Sequence, residues 1–282
     1  MNNIPVTTKN VNQDGPPSLN YDLRARIKSN VIFWSSILVT LVIIPIAIYY
    51  PLTYLTKLKM GTILGFTSIS NGLPSIFQLP YRIWKLWKKD GGDRRPLSGN
   101  VMDIFMWEYI ISFFILTAAY IVSTTIPIPL LYLMIPSILV GNVSIQCLIS
   151  LFRPRVPISL SSLPPGHKMR PAGYYITEDV VAVDGGGRSA YRKALNVRYE
   201  SSVIFQRLIY EMTVYWAIGG LIFVGVNAAF TFATSFNFAF GATLIWIPIW
   251  ALIWFIPARF WIQYRLRQEK EAFRLTATNI PS

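Results

Sequence analysis

Two residue types are almost missing from this chain of 282 residues: it holds one histidine, His167, and one cysteine, Cys147. A protein-built zinc site draws on three or four nitrogen or sulfur ligands, so the sequence predicts no metal centre. Haem held between paired histidines and the histidine-box di-iron oxidases are excluded by the same shortage, and no other cofactor is predicted. A disulfide within the chain is impossible, and no cysteine pair points to an oxidising compartment. Charge is scarce as well. Charged residues make up 14% of the chain, about half of what a soluble domain carries. No apolar run stands near the N-terminus, so no cleaved signal peptide is expected and the first span must direct insertion.

The scarce charge is also clustered. Between Glu108 and Arg153 lie 44 uncharged residues, and between Glu211 and Arg259 lie 47. One membrane-crossing helix needs roughly 20 apolar residues, so each gap is long enough for two. The chain therefore reads as an all-α integral membrane helical bundle with a small cytosolic loop domain. A polar, disordered tail is expected over 1–30. A first membrane part follows over 31–152, with spans near 31–55, 60–80, 103–124 and 129–152. The loop domain covers 153–209, a second membrane hairpin 210–258, and a basic cytosolic tail 259–282.

The stretch 60–81 is ambiguous, because Asn71, Pro74 and Gln78 lower its hydropathy. It reads as a surface-lying helix on that ground. A second pattern argues for a span: Gly61, Gly65, Ser68, Gly72 and Ser75 recur at steps of four and three, which puts small residues on one helical face. Such a face suits internal packing or a homo-oligomer equally. The count of Lys and Arg favours crossing. Six spans place 24 of the 26 basic residues on one side, whereas five place 22 there. The bias toward a positive cytosolic side thus selects six spans (five if 60–81 is interfacial), with both termini and the 153–209 loop cytosolic.

The net charge is +13. Its basic residues flank apolar spans, so the expected partners are the bilayer and anionic lipid headgroups, or a membrane partner, and not nucleic acid. Trp84, Lys85, Trp87, Lys88 and Lys89 form an aromatic and basic helix end, which reads as an interfacial anchor or a phosphoinositide contact. In the loop, Tyr174-Tyr-Ile-Thr and Val180-Val-Ala-Val are β-favouring and predict a short hairpin. Ser189 is placed to cap an amphipathic helix that runs into the fifth span.

Three constellations are candidates for chemistry. Gly185, Gly186 and Gly187, followed by Arg188, Arg192 and Lys193, suit either a plain turn or an anion held at a helix N-terminus. Glu108 and Glu211 lie within apolar stretches beside aromatic residues, so they are candidate catalytic carboxylates in one shared pocket, or merely interfacial charges. Trp246, Trp250, Trp254 and Trp261 share one helical face over 15 residues, about 22 Å, which suits a ligand-lined stripe or packing between helices. Asp103 suits a helix N-cap, and His167 suits a solvated loop.

The run Arg170-Pro-Ala-Gly-Tyr-Tyr-Ile-Thr-Glu-Asp-Val-Val-Ala-Val-Asp-Gly-Gly-Gly187 resembles a group of uncharacterised multi-pass membrane proteins of filamentous fungi. Asn196-Val-Arg-Tyr-Glu200 and Arg94-Arg-Pro-Leu97 carry the same resemblance, which covers roughly residues 80–270. It implies a fungal source and no activity, so no site residue is carried over. In size, helix count and aromatic richness the chain is also similar to the small integral-membrane terpene cyclases of fungi, without a shared motif. Three readings follow. The first is a non-enzymatic membrane protein with a basic cytosolic face for anionic lipid or a partner. The second is an enzyme using Glu108 and Glu211 on a hydrophobic, terpenoid-like substrate. The third is a transporter in which Asn71, Gln78, Asn142, Gln146 and Asn227 line a path for a neutral solute.

Overall fold

The computed structural model describes residues 15–19, 21, 27–88, 93–126 and 128–278. Among them every regular element is helical, and outside the helices only two isolated bridges pair backbone, Arg155 with Lys168 and Leu160 with Leu163. Helix α1 (Ile27–Leu38), a π-helical turn (Val39–Ile43) and α2 (Ile44–Leu55) follow one another without a break. The π turn directly precedes Pro45, whose ring would press on the carbonyl four residues back, and the wider turn relieves that clash. Then come α3 (Met60–Trp87), α4 (Ile104–Thr125), α5 (Pro129–Leu151), α6 (Ala172–Asp179) with a second π turn (Val180–Asp184), α7 (Arg188–Ser201), α8 (Val203–Ala233) and α9 (Phe236–Thr278).

Five of these segments are long and apolar enough to cross a membrane: Trp34–Leu55, Ile104–Thr125, Pro129–Leu151, Val203–Ala233 and Phe236–Thr276. Their outward faces carry Phe114, Ile121, Phe232, Leu252 and Phe255, all exposed. Large apolar side chains facing outward along the middle of a helix are costly in water and suit a hydrocarbon surround.

Helix α3 is the sixth long element. A Cβ on Gly61 at its start would meet the Thr124 carbonyl oxygen, at the end of α4, at 2.7 Å. Arg82, near its other end, pairs with Asp103 at the start of α4. The two helices thus run antiparallel over the whole length of α4. Ile63, Leu64 and Thr67 bury against Tyr49, Tyr132 and Phe240, and the Thr67 and Tyr132 hydroxyls meet at 2.8 Å. Among the glycines of the stripe of small residues, Gly61 is closely covered by a neighbouring helix, whereas a Cβ on Gly65 or Gly72 would have nothing within 4 Å. The side chain of Ser75 lies outside the described residues.

The ends of α3, α5 and the starts of α4 and α8 meet at one end of the bundle, here the charged end. Residues 153–201 pack there as a cap. Its core is Val156, Leu163, Tyr174, Tyr175, Tyr191, Leu195 and Tyr199 with Phe205 of α8. Two expectations for this segment fail. Residues 172–184 form a helix and a π turn, not a hairpin. The reason is their burial: Tyr174, Tyr175, Glu178, Asp179, Ala182 and Val183 are buried, which is one face of a helix and not every second residue of a strand. Ser189 is not a cap, since Gly187 holds that position, and α7 does not continue into α8. The chain breaks at Ser202, whose hydroxyl accepts from the Phe205 N–H at 3.1 Å.

The apolar gap 212–258 lies inside two helices that run on past it. Helix α9 alone has 43 residues, about 64 Å, roughly twice the hydrocarbon thickness of a bilayer. Most of the tail 1–30 and residues 89–92 with Lys89 lie outside the described residues, as does the expected disorder of that tail. Leu19 and Tyr21 are described, and both pack on the cap core.

Candidate functional site: a buried ion cluster and a half-buried carboxylate

The start of α4 is buried, so its free N–H groups need acceptors. Three side chains supply them. Ile104 N–H donates to Ser161 Oγ (3.0 Å), Phe105 N–H to Asp179 Oδ2 (3.2 Å) and Met106 N–H to Asp103 Oδ1 (2.7 Å). Asp103 is therefore the N-cap that the sequence suggests. The carboxylates recruited this way draw in two arginines. Arg82 Nη2 lies 2.9 Å from Asp103 Oδ2, and Arg82 also pairs with Asp184. Arg192 Nη1 lies 2.5 Å from Asp179 Oδ1 and 3.1 Å from Glu178 Oε1, and its Nη2 lies 3.4 Å from Asp103 Oδ2.

Arg192, Asp103, Glu178 and Asp179 are fully buried and Arg82 nearly so. The guanidinium groups fill the space between the carboxylates, so the cluster is an ion-pair node joining α3, α4, α6 and α7. Among the described residues no group of three or more histidines, cysteines and carboxylates is disposed for a metal ion. Burial, and then the neighbouring Asp179 charge, push the Glu178 carboxyl up to about 7 against the pull of Arg192.

The glycine-rich segment is a tight turn beside this node. Gly186 has φ +68°, which favours glycine, and a Cβ on Gly187 would strike Tyr191. Three of the N–H groups along it are taken: Gly185 donates to the Val180 carbonyl, Gly187 to Val181, and Ser189 to Asp93. Arg188 opens α7 at φ +57°. Of the three cations there, Lys193 is exposed, Arg188 is half-buried and Arg192 is spent in the node.

Glu211 sits between Arg207 (3.0 Å) and Arg265, and accepts from the Trp261 indole (3.0 Å). Glu108 accepts from Asn142 Nδ2 (2.6 Å), Gln146 Nε2 (2.6 Å) and Ser112 Oγ (3.1 Å). The first network joins α8 to α9 and the second joins α4 to α5. The structure brings the two carboxylates into no common network. The tryptophans face α8: Trp250 Nε1 donates to the Gly219 carbonyl (2.8 Å), Trp254 Nε1 to the Tyr215 carbonyl (3.0 Å), and Trp246 stacks on Phe223. His167 is exposed, as expected of a loop residue.

Sequence reasoning missed Arg82, Glu178 and Asp179. Their one signal was position: three ionisable residues stand next to apolar or aromatic residues at helical spacing. Asn71 and Asn227 are inside the bundle, but Asn227 donates to the Leu133 carbonyl (3.0 Å) and so ties α8 to α5.

A family described as a domain of unknown function (DUF8766) matches residues 4–273, nearly the whole chain. No curated protein and no solved structure matches it.

Proposed function

The chain belongs to this family of unknown function, and on that premise we propose that it is a non-enzymatic multi-pass membrane protein whose cap binds anionic lipid headgroups at the cytosolic face. Six helices cross in this reading, with α3 the sixth, and the charged end is cytosolic. The observation that carries it is the company of two surface features at that end. Exposed aromatic residues ring the bundle there: Trp84 and Trp87 on α3, Trp107 on α4, Tyr210 on α8, Trp261 and Tyr264 on α9. Tryptophan and tyrosine prefer the headgroup level. Arg155, Lys168, Lys193, Arg267 and Lys270 are exposed at the same end. The node behind them holds the cap to the spans, so these cations are presented by a fixed surface. The resemblance of residues 170–187 to fungal multi-pass proteins supports a fungal source.

Each surface cation contributes about 1 kcal/mol to anionic lipid binding. Replacing Lys168, Lys193, Arg267 and Lys270 by Gln is expected to lower phosphatidylserine retention at least tenfold in native mass spectrometry from mild detergent. Arg192 is left intact in this test because its loss would unfold the cap. Retention equal to wild type in the folded variant refutes the lipid-binding reading.

A further inference from the structure

Glu108 differs from the other carboxylate inside the apolar stretches. Glu211 has two arginines, whereas among the described residues Glu108 has no cation within ion-pair reach. It is only half-buried, where α4 meets α5. Its neighbours donate to it and thereby turn into acceptors. Because Asn142 Nδ2 and Gln146 Nε2 both point at the carboxylate, their carbonyl oxygens remain, and no donor among the described residues reaches either one. Neither oxygen is sealed from the surface. The carboxylate itself has about four lone-pair positions, of which three are used. The α4–α5 seam thus offers acceptors and one uncompensated negative charge.

Depth and flanks narrow the class of ligand. Trp107, next to Glu108, is exposed and belongs to the aromatic ring, so the carboxylate lies at headgroup level. From there Ile111 and Ile115 on α4 lead away from the charged end, and Ile145 on α5 flanks Gln146 at the level of the carboxylate, all exposed. A polar head at Glu108 would continue into apolar chains along these isoleucines. A soluble cation would leave that surface unused. We propose that Glu108, Asn142 and Gln146 form a lateral site for an amphiphile with a primary ammonium head, the chemistry of a phosphatidylethanolamine. The ammonium carries the missing charge and three N–H donors for three acceptor groups. The inference rests on the membrane placement of α4 and α5, and not on the basic cap.

Native mass spectrometry of delipidated protein with added phosphatidylethanolamine or phosphatidylcholine tests it. The two heads carry the same charge, but the quaternary one has no N–H to donate. Wild type is expected to retain the ethanolamine lipid at least tenfold over the choline lipid. Glu108→Gln is expected to bring that ratio near one, and Gln146→Leu to reduce it in part. The four-fold cap variant is expected to keep the preference, which separates this site from the cap. A wild-type ratio near one overturns the proposal whatever the variants do. So does a dimer that dissociates in Glu108→Gln, since the carboxylate would then face a second copy.

Discussion

Arg192 shows how far a single side chain can be from the role its charge suggests. It lies in a basic run with Arg188 and Lys193, yet it is fully buried and meets Asp103, Glu178 and Asp179. Removing one partner of such a buried cluster leaves uncompensated charge and costs roughly 3–5 kcal/mol. Arg192→Leu is therefore expected to abolish a cooperative thermal transition. Glu178 is the opposite case. It is the carboxylate the node holds least well, because neither of its oxygens has a well-formed hydrogen bond. Its folded pKa is raised from 4.5 to about 7, so between these values the folded chain holds a proton that the unfolded chain has lost. The stability tied to that proton is full below pH 4.5 and disappears as pH rises through about 7. Glu178→Gln keeps the shape and removes the titration. Its melting temperature is expected to exceed wild type above about pH 7, where the stability difference is on the order of 3 kcal/mol, and its pH profile to flatten between those pH values. A wild-type-like pH slope in the variant would show that other groups carry it.

At the scale of elements, the α8–α9 seam explains where the tryptophan stripe leads. Trp246, Trp250, Trp254, Ala258, Trp261, Arg265 and Glu269 follow one face of α9, first against α8 and then against α7 through the Arg198–Glu269 pair. The stripe changes from aromatic to charged where the helix leaves its apolar stretch. Gly219 makes room for it, since a Cβ there would overlap the Trp254 indole. Gly219→Ala is expected to cost about 1–3 kcal/mol through overpacking, and clearly less in a Trp254→Ala background, read by unfolding in detergent. Gly65→Ala, with open space around it, is expected to be neutral or slightly stabilising. If the two glycine variants behave alike, the seam is not packed this way. The stripe was legible in the sequence because α-helical spacing is local. The helix at 172–184 was not, because two β-favouring runs flank Glu178 and Asp179 and together read as a hairpin. Once both are counted as buried, the segment has a helical period. The node itself was illegible for a different reason: Arg82, Asp103, Asp179 and Arg192 are remote in sequence, and only packing of four helices brings them together.

For the whole molecule, the membrane character was legible and the number of crossings was not. Charge-free stretches long enough for two helices leave few other folds. Residues 60–81 are less apolar, and composition alone leaves α3 below the five clear spans. Contacts argue differently. Gly61 lies at the level of Thr124 and Arg82 at the level of Asp103, so α3 covers the same thickness as α4. If α4 crosses a bilayer, a helix laid antiparallel along its entire length crosses too. Two of its polar residues have partners inside the bundle: Thr67 meets Tyr132, and Arg82 enters the node. Lys59 and Lys88, which flank α3, must then lie on opposite sides. Single cysteines at these positions and at Lys193, in a Cys147→Ser background, test this in sealed membrane vesicles of one orientation. An impermeant maleimide is expected to label Lys59→Cys from one side, and Lys88→Cys and Lys193→Cys only from the other. Labelling of Lys59→Cys and Lys88→Cys under the same condition would leave α3 on one side of the membrane. The count would then be five, and the N-terminal tail would lie across the bilayer from the cap. That arrangement would separate Leu19 and Tyr21 from the core against which they pack, so the contact of the tail with the cap is a second, independent reason to expect six.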